Sequence, residues 1–209
     1  EAYFYLRFDG REGRLAADPP AQADPLRSYR YDSADPAPTQ IDVKQYPLED
    51  IPLDQGPVEA RADVVAYTSA PLTAELEVTG PVTAVLYAMS SALDTDWVVR
   101  LEDVHPNGYS RNLCDGILRA RYRNSFQHPE PLEPGKVYRF EIDLWATSNA
   151  FLPGHRIRAA VTSSCFPRFD RNLNTGGRIH REAAGQVAIN TVLHDELRPS
   201  HIVLPLIER

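Results

Sequence analysis

The sequence predicts an all-β domain, an antiparallel β-sandwich of the jelly-roll, galactose-binding-like type. Short stretches rich in Val, Ile, Tyr, Leu and Phe recur along the 209 residues, and 18 prolines and 11 glycines separate them. No stretch keeps an apolar stripe of helical period for about three turns. The length is that of one domain with a buried core, so we expect residues 1–209 to form a single unit.

Ten or so strands are expected, and two of them show the alternation of a half-buried strand. In residues 137–144, Tyr138 and Phe140 begin one apolar face, and in residues 117–123 Leu118 alternates with arginines. Asn107-Gly108 is typical of a tight hairpin turn between two strands. The expected strands are residues 3–8, 63–68, 74–79, 82–90, 96–104, 117–123, 137–144, 156–162, 187–193 and 202–207.

Residues 16–62 differ from the rest of the chain. They are rich in proline and aspartate and have little periodicity, as in Asp35-Pro36-Ala37-Pro38. We interpret this stretch as an irregular excursion over the surface, of the kind that carries function or meets a partner.

The composition excludes several classes of protein. Hydrophobic residues make up 43% and charged residues 24%, as in ordinary folded proteins, which excludes disorder. No apolar run approaches the roughly 18–20 residues of a membrane span, so no membrane partner is expected. The net charge of −7 is unfavourable for binding nucleic acid. Because the chain starts at Glu1 and its one methionine is Met89, we expect it to be a piece of a longer protein.

No catalytic set is visible in the sequence. The phrase Gly108-Tyr109-Ser110 lacks the second glycine of a nucleophile elbow, and no glycine flanks Ser163 or Ser164. The six histidines are scattered without metal-ligand spacing, and two distant cysteines make neither a zinc site nor a disulfide framework. We therefore predict no catalytic residue, metal or cofactor in this chain.

Two further groups of residues have a functional and a structural interpretation. Asp94, Asp96 and Asp103 could supply oxygen ligands to calcium, but the rest of a calcium loop is missing, and pairing with arginines is favoured. Trp97 and Trp145 could form a platform for stacking sugars. Burial in the core is the favoured interpretation for both tryptophans.

Several long phrases occur in the order found in one protein family. They are GPV at 80–82, SSALDTDW at 90–97, LEDVHPNG at 101–108, DGILRARYR at 115–123, DLWATSN at 143–149, FLPGHRIR at 151–158, SSCFPRFDRN at 163–172, NTGG at 174–177 and PSHIVLPLI at 199–207. Together they resemble the C-terminal domain of the X-Pro dipeptidyl-peptidase family of serine hydrolases. The cocaine-esterase-like branch is most similar, and glutaryl acylases and α-amino-acid ester hydrolases are relatives.

The resemblance implies a jelly roll that follows an α/β-hydrolase domain and a helical cap, both absent from this chain. Those two domains would be its partners, and a homo-oligomer is a further option. The Ser–Asp–His triad would lie outside this chain. The domain would pack on the catalytic domain and form one wall of the active-site cleft. By resemblance, Ile41, Val43 and Tyr46 would line the acyl pocket, although relatives place a Gly-Gly where this chain has residues 39–42. The alternative function is a free-standing carbohydrate-binding jelly roll.

Overall fold

The computed structural model describes residues 1–21, 24–40, 54–178 and 180–207. Apart from one four-residue helix, α1 (Gly56–Glu59), and a 3-10 turn at Ala120–Tyr122, its regular elements are strands. In chain order the strands are β1 (Ala2–Phe8), β2 (Gly13–Ala16), β3 (Arg27–Tyr31), β4 (Val65–Thr68), β5 (Leu76–Ser90), β6 (Asp96–Val104), β7 (Ser110–Arg119), β8 (Tyr138–Phe151), β9 (Arg156–Thr162), β10 (Ala188–Val192), β11 (His194–Asp195), β12 (Arg198–Pro199), β13 (His201–Leu204) and β14 (Leu206–Ile207).

The strands form one long sheet and a small two-stranded one. The order in the long sheet is β3-β10-β5-β13-β1-β2-β4-β9-β6-β7, and β8 and β14 both pair with β5. Strand pairing is antiparallel except where β2 meets β4 through Arg14 and Thr68. The sheet folds over so that β7 packs on β8. A Cβ atom at Gly116 would lie 2.0 Å from the Asp143 carbonyl oxygen, so this approach requires glycine. The predicted all-β antiparallel sandwich is confirmed.

The core lies between the two layers of the folded sheet. Its largest buried side chain is Trp97, which contacts Phe140 at 5.5 Å and Tyr29 edge-on at 6.4 Å between ring centroids. Cys114 and Cys165 are buried and unlinked, as predicted. No helix among the described residues has the length and apolar character needed to cross a membrane.

The bounds of several strands differ from the prediction. The strands predicted at residues 74–79 and 82–90 are one strand, β5, which begins at Leu76 and continues through Gly80 and Pro81. Strand β7 ends at Arg119 rather than at residue 123, because the backbone N–H and the guanidinium of Arg121 both bind the Asp94 carboxylate. The stretch 16–62 is not wholly irregular, since it contains β3 and α1.

Trp145 is the clearest error of the sequence analysis. It is 75% exposed, whereas Trp97 is fully buried as predicted. Alternation along β8 explains the difference, since Leu144 is buried and the next residue, Trp145, faces the opposite side of the strand. Trp145 is also the extra residue of a bulge between the Thr83–Asp143 and Pro81–Ala146 pairs, and its φ of 67° is in the left-handed region.

Candidate functional site

The residues predicted to line a substrate pocket, Ile41, Val43 and Tyr46, lie outside the described part of the chain. The structure does describe the chain on both sides of them. Before this segment, the Thr39 N–H donates to the Phe166 carbonyl oxygen at 2.7 Å. After it, the Gln55 N–H donates to the Ser110 carbonyl oxygen at 2.8 Å. Residues 40–53 therefore leave from and return to fixed points on the sandwich.

The second of these points rests on a network of charged side chains on the outer face of β6. Glu102 is fully buried there, and Glu59 of helix α1 packs over it. The Ser110 hydroxyl donates to Glu59 at 2.7 Å, and Arg158 forms an ion pair with the same carboxylate. The helix is thus fastened to β6, β7 and β9 by polar contacts rather than by a large apolar face.

The two carboxyl groups of this network carry opposite pKa shifts. Burial, together with the hydrogen bond to Glu59 and its negative charge, raises the pKa of Glu102 well above its ordinary value. Burial would also raise the pKa of Glu59, but hydrogen bonds from Glu102 and Ser110 and the charge of Arg158 bring it below the ordinary value. Of the two carboxyl groups, Glu102 is therefore the one that holds a proton more tightly.

Arg100 lies on the same face of β6 and is only 2% exposed. Neither terminal guanidinium nitrogen, Nη1 or Nη2, has a hydrogen-bond partner among the described residues. Its charge does act on Glu102, whose pKa it lowers against the effect of burial. The outer face of β6 thus combines a neutral acid with a buried cation.

The aspartates considered as calcium ligands are instead paired. Arg119 binds the Asp96 carboxylate through two nitrogens, at 2.9 and 3.1 Å, and Arg121 binds Asp94 at 2.6 Å, as the sequence favoured. The Asn172 amide donates to both carboxylates, at 2.9 and 2.8 Å, and so joins the two pairs. These contacts fix the end of β7 against the loop that follows β9.

Asp103 does not pair with an arginine, contrary to the expectation. Its Oδ1 lies 2.8 Å from Nδ1 of His155, and its Oδ2 lies 3.9 Å from Nε2 of His105. Sequence spacing did not indicate this cluster because His155 is some fifty residues from the other two members. The strand register contains the signal, since Val104 pairs with Arg156 and the next pair in line is His105 opposite His155.

The three serines considered as nucleophiles are buried and engaged in structural hydrogen bonds. Ser110 donates to Glu59, and the Ser163 hydroxyl contacts the Tyr29 hydroxyl and the Asn190 amide. Ser164 accepts from a backbone N–H at 2.8 Å. In the part of the chain that the structure describes, no imidazole nitrogen is hydrogen-bonded to a serine hydroxyl.

The sequence and the structure can now be compared with known proteins. Residues 1–203 match the family model described as the X-Pro dipeptidyl-peptidase C-terminal non-catalytic domain. The chain belongs to this family. It is therefore a non-catalytic C-terminal domain of the type found in CocE/NonD serine hydrolases, as the sequence phrases indicated.

Relatives of this non-catalytic domain are much longer than the chain. It is 48% identical over 185 residues to the cocaine esterase of Rhodococcus sp. (strain MB1 Bresler), a match that covers 87% of the chain and 32% of the relative. An aminopeptidase structure from a marine sediment Thaumarchaeota archaeon is 33% identical, with a TM-score of 0.90, over 100% of the chain and 37% of that protein. A structure of α-amino acid ester hydrolase is 32% identical, with a TM-score of 0.88, over 98% and 36%. The domain thus spans about a third of the length of these relatives.

A polar cleft of ≈ 390 Å³ opens beside the paired aspartates of this domain. Arg119, Arg121, Arg171 and Arg178 contribute to its walls, with Asp170 and Glu182 among them. Three of these guanidinium groups already have partners within the chain. Arg119 and Arg121 bind aspartates, and Arg171 donates to the Ser33 carbonyl oxygen. These arginines therefore hold neighbouring loops of the domain together and are poorly placed to bind a free anion.

Proposed function

We propose that this domain packs on the catalytic domain of a serine hydrolase and forms one wall of its acyl pocket. The hydrolase would cleave an ester or amide bond through an acyl-enzyme intermediate. The supporting observation is that the chain matches a non-catalytic domain and spans about a third of relatives named as an esterase, an aminopeptidase and an ester hydrolase. The burial of Ser110, Ser163 and Ser164 supports a nucleophile located elsewhere.

The segment between Thr39 and Asp54 is the part of the domain that we assign to the pocket. Both of its ends are fixed by backbone hydrogen bonds to neighbouring elements, so its side chains would be presented from a rigid base. Its apolar residues Ile41, Val43 and Tyr46 would contact the acyl group of the substrate. In this arrangement the sandwich positions the segment, and the catalytic domain supplies the chemistry.

The test is made on the intact protein that carries this chain. Truncation of one apolar wall residue should change discrimination between acyl groups by about 1–3 kcal/mol. Tyr46→Ala and Ile41→Ala should therefore alter the ratio of kcat/KM for esters of long and short acyl chains. Leu197→Ala, at a site that is 85% exposed, is the control and should leave the ratio unchanged.

Two outcomes would count against this wall. A constant ratio accompanied by a lower melting temperature would make the segment part of the scaffold. Active-site labelling with a fluorophosphonate that modifies Ser110, Ser163 or Ser164 would place the nucleophile in this domain. A homo-oligomer stays a prediction, which light scattering of the intact protein tests separately.

A carbohydrate-binding function is the second candidate, and the exposure of Trp145 favours it. Trp97 cannot contribute to a sugar platform, because it is fully buried between the layers. Titration calorimetry with oligosaccharides should give no heat if the hydrolase assignment is right. Heat that disappears in the Trp145→Ala variant would favour the carbohydrate-binding function.

A further inference from the structure

We propose that Asp103, His105 and His155 form a binding site for a divalent transition-metal ion, with zinc as the best fit. One donor atom from each of the three side chains lies within 4.8 Å of the other two. Two imidazoles and one carboxylate are a common donor set for zinc, leaving a fourth position for water. This site is separate from the acyl-pocket wall and does not depend on the proposed function.

The strand register builds this donor set. Asp103 is near the end of β6 on its core-facing side, in line with Trp97, Val99 and Leu101. His105 follows two residues later on the same side, because side chains alternate along a strand. His155 precedes β9, whose Ile157 pairs with Asp103, and so lies beside His105. The site therefore closes one end of the apolar core.

The two contacts that Asp103 makes within the cluster differ, since one is a direct hydrogen bond and the other is wider than one. Zinc holds nitrogen and oxygen donors at about 2.0–2.2 Å, so donors on a tetrahedral ion are about 3.4 Å apart. Asp103 Oδ2 and His105 Nε2 are 3.9 Å apart, too far for a hydrogen bond and within a small side-chain movement of that spacing. Asp103 Oδ1 and His155 Nδ1, at 2.8 Å, need to separate slightly.

The Nε2 atom of His105 is the observation that points to a ligand. This atom is buried and has no hydrogen-bond partner among the described residues, although the ring as a whole is partly exposed. The ring is held by Tyr109, which packs edge-on at 5.1 Å, and by His155 at 4.4 Å between centroids. A buried polar atom without a partner is uncommon in folded proteins, and a metal ion would supply one.

Binding requires these small side-chain movements and a shift of one proton within the His155 ring. In the metal-free site, the proton between Asp103 and His155 Nδ1 makes their hydrogen bond. When the ion binds at Nδ1, the neutral ring carries its proton on Nε2 instead, and the carboxylate binds the ion directly. No electron is transferred. Calcium and magnesium, which prefer six or more oxygen ligands, should bind much more weakly.

The site would join two turns of the sandwich. His105 begins the Pro106-Asn107-Gly108 turn between β6 and β7, and its backbone N–H bonds to Tyr109 across that turn. His155 ends the turn between β8 and β9, where Gly154 lies close to Pro106. An ion held by both histidines would fasten these turns together, so the native state should become more resistant to unfolding when zinc is present.

Equilibrium dialysis of the full 209-residue chain, stripped of metal by a chelator, tests this site with Zn²⁺. We expect one zinc per chain, and at least a tenfold loss of affinity in His105→Gln, a partly exposed position that should still fold. His128→Gln, at an exposed histidine outside the cluster, is the matched control and should bind zinc like the wild type. Substitution with Co²⁺ should give the visible absorption of a tetrahedral site, and His105→Gln should abolish it.

Thermal unfolding provides a second measurement that does not depend on dialysis. Zinc should raise the melting temperature of the wild-type chain and of His128→Gln, but not that of His105→Gln. The melting temperature without metal checks that each variant is folded. The proposal is overturned if the wild type takes up no zinc at micromolar concentration, if His105→Gln binds as tightly as the wild type, or if Ca²⁺ competes equally.

Discussion

The two faces of strand β6 are both buried, but their chemistry differs. The inner face carries Trp97, Val99 and Leu101, which are at most 1% exposed and pack into the main core. The outer face carries Arg100 and Glu102, which are equally inaccessible but belong to a charged network beneath helix α1.

The inner face stabilises the fold by removing apolar surface from water. This contribution is large and does not depend on the exact orientation of the contacting groups. The outer face contributes less stability, because each buried charge loses its hydration. Only well-placed hydrogen-bond and ion-pair partners offset that loss of free energy. Its contacts do fix where α1 lies and where the segment before α1 ends. Apolar burial thus stabilises the sandwich itself, and the polar network determines where helix α1 is attached to the sandwich.

The largest expected effect is on the inner face. Trp97→Ala should reduce the free energy of unfolding by about 3–5 kcal/mol, because it leaves a large cavity between the layers. Trp145→Ala removes the same side chain from an exposed position and should change stability by no more than about 0.5 kcal/mol. Urea unfolding of the two variants measures the contrast. Equal losses of unfolding free energy in the two variants would contradict the assignment of Trp97 to the core and Trp145 to the surface.

The next effect is on the outer face. Glu59→Gln removes the negative charge that Arg158 and the Ser110 hydroxyl face, and breaking such a partly buried pair should cost about 3 kcal/mol. Glu141→Gln is the matched control, since the Arg139–Glu141 pair is exposed and worth at most about 1 kcal/mol. Comparable losses in the two variants would mean that the outer network is no more than a solvated ion pair.

The smallest effect, and one of opposite sign, is expected for Glu102→Gln. Above the ordinary pKa of 4.5, the unfolded chain releases the Glu102 proton while the folded chain, with its raised pKa, keeps it. Wild-type stability should therefore fall as the pH rises from about 4.5 towards the folded-state pKa. Glutamine mimics the protonated acid and removes this loss.

Denaturant unfolding at several pH values checks this expectation. The Glu102→Gln and wild-type curves should agree near pH 4, and the variant should become relatively more stable as the pH rises. A variant that is less stable than the wild type at neutral pH would show that Glu102 is ionised in the folded chain. The outer face would then depend on a charge pair and not on a shared proton.

Much of the inner face could be predicted from the sequence, because its signals are local. Alternation located β8, apolar stretches between turns located β6 and β9, and Asn107-Gly108 located the hairpin, where Gly108 has the positive φ that the turn requires. The pairing of Asp94 and Asp96 with arginines also followed from the residue types. Prediction from local periodicity fails where pairing with a distant strand determines the local structure.

Three features show this failure. Strand β3 lies in a proline-rich stretch and forms because β10, far along the chain, pairs with it. The bulge at Trp145 depends on the register against β5, and the cluster of Asp103, His105 and His155 depends on the register between β6 and β9. The residues predicted for the pocket, Ile41, Val43 and Tyr46, lie outside the described part of the chain and stay a prediction.

The two fixed points at Thr39 and Gln55 have a consequence for how such domains diverge. Since both hydrogen bonds to the sandwich at these points are made by the backbone, substitutions between them leave the attachment intact. Lengthening a connection costs little, about 0.6 kcal/mol of closure entropy for each doubling. Residues 40–53 can therefore change in length and composition while the sandwich keeps its stability. Domains that share this sandwich could in this way come to differ between the two points at a low thermodynamic cost.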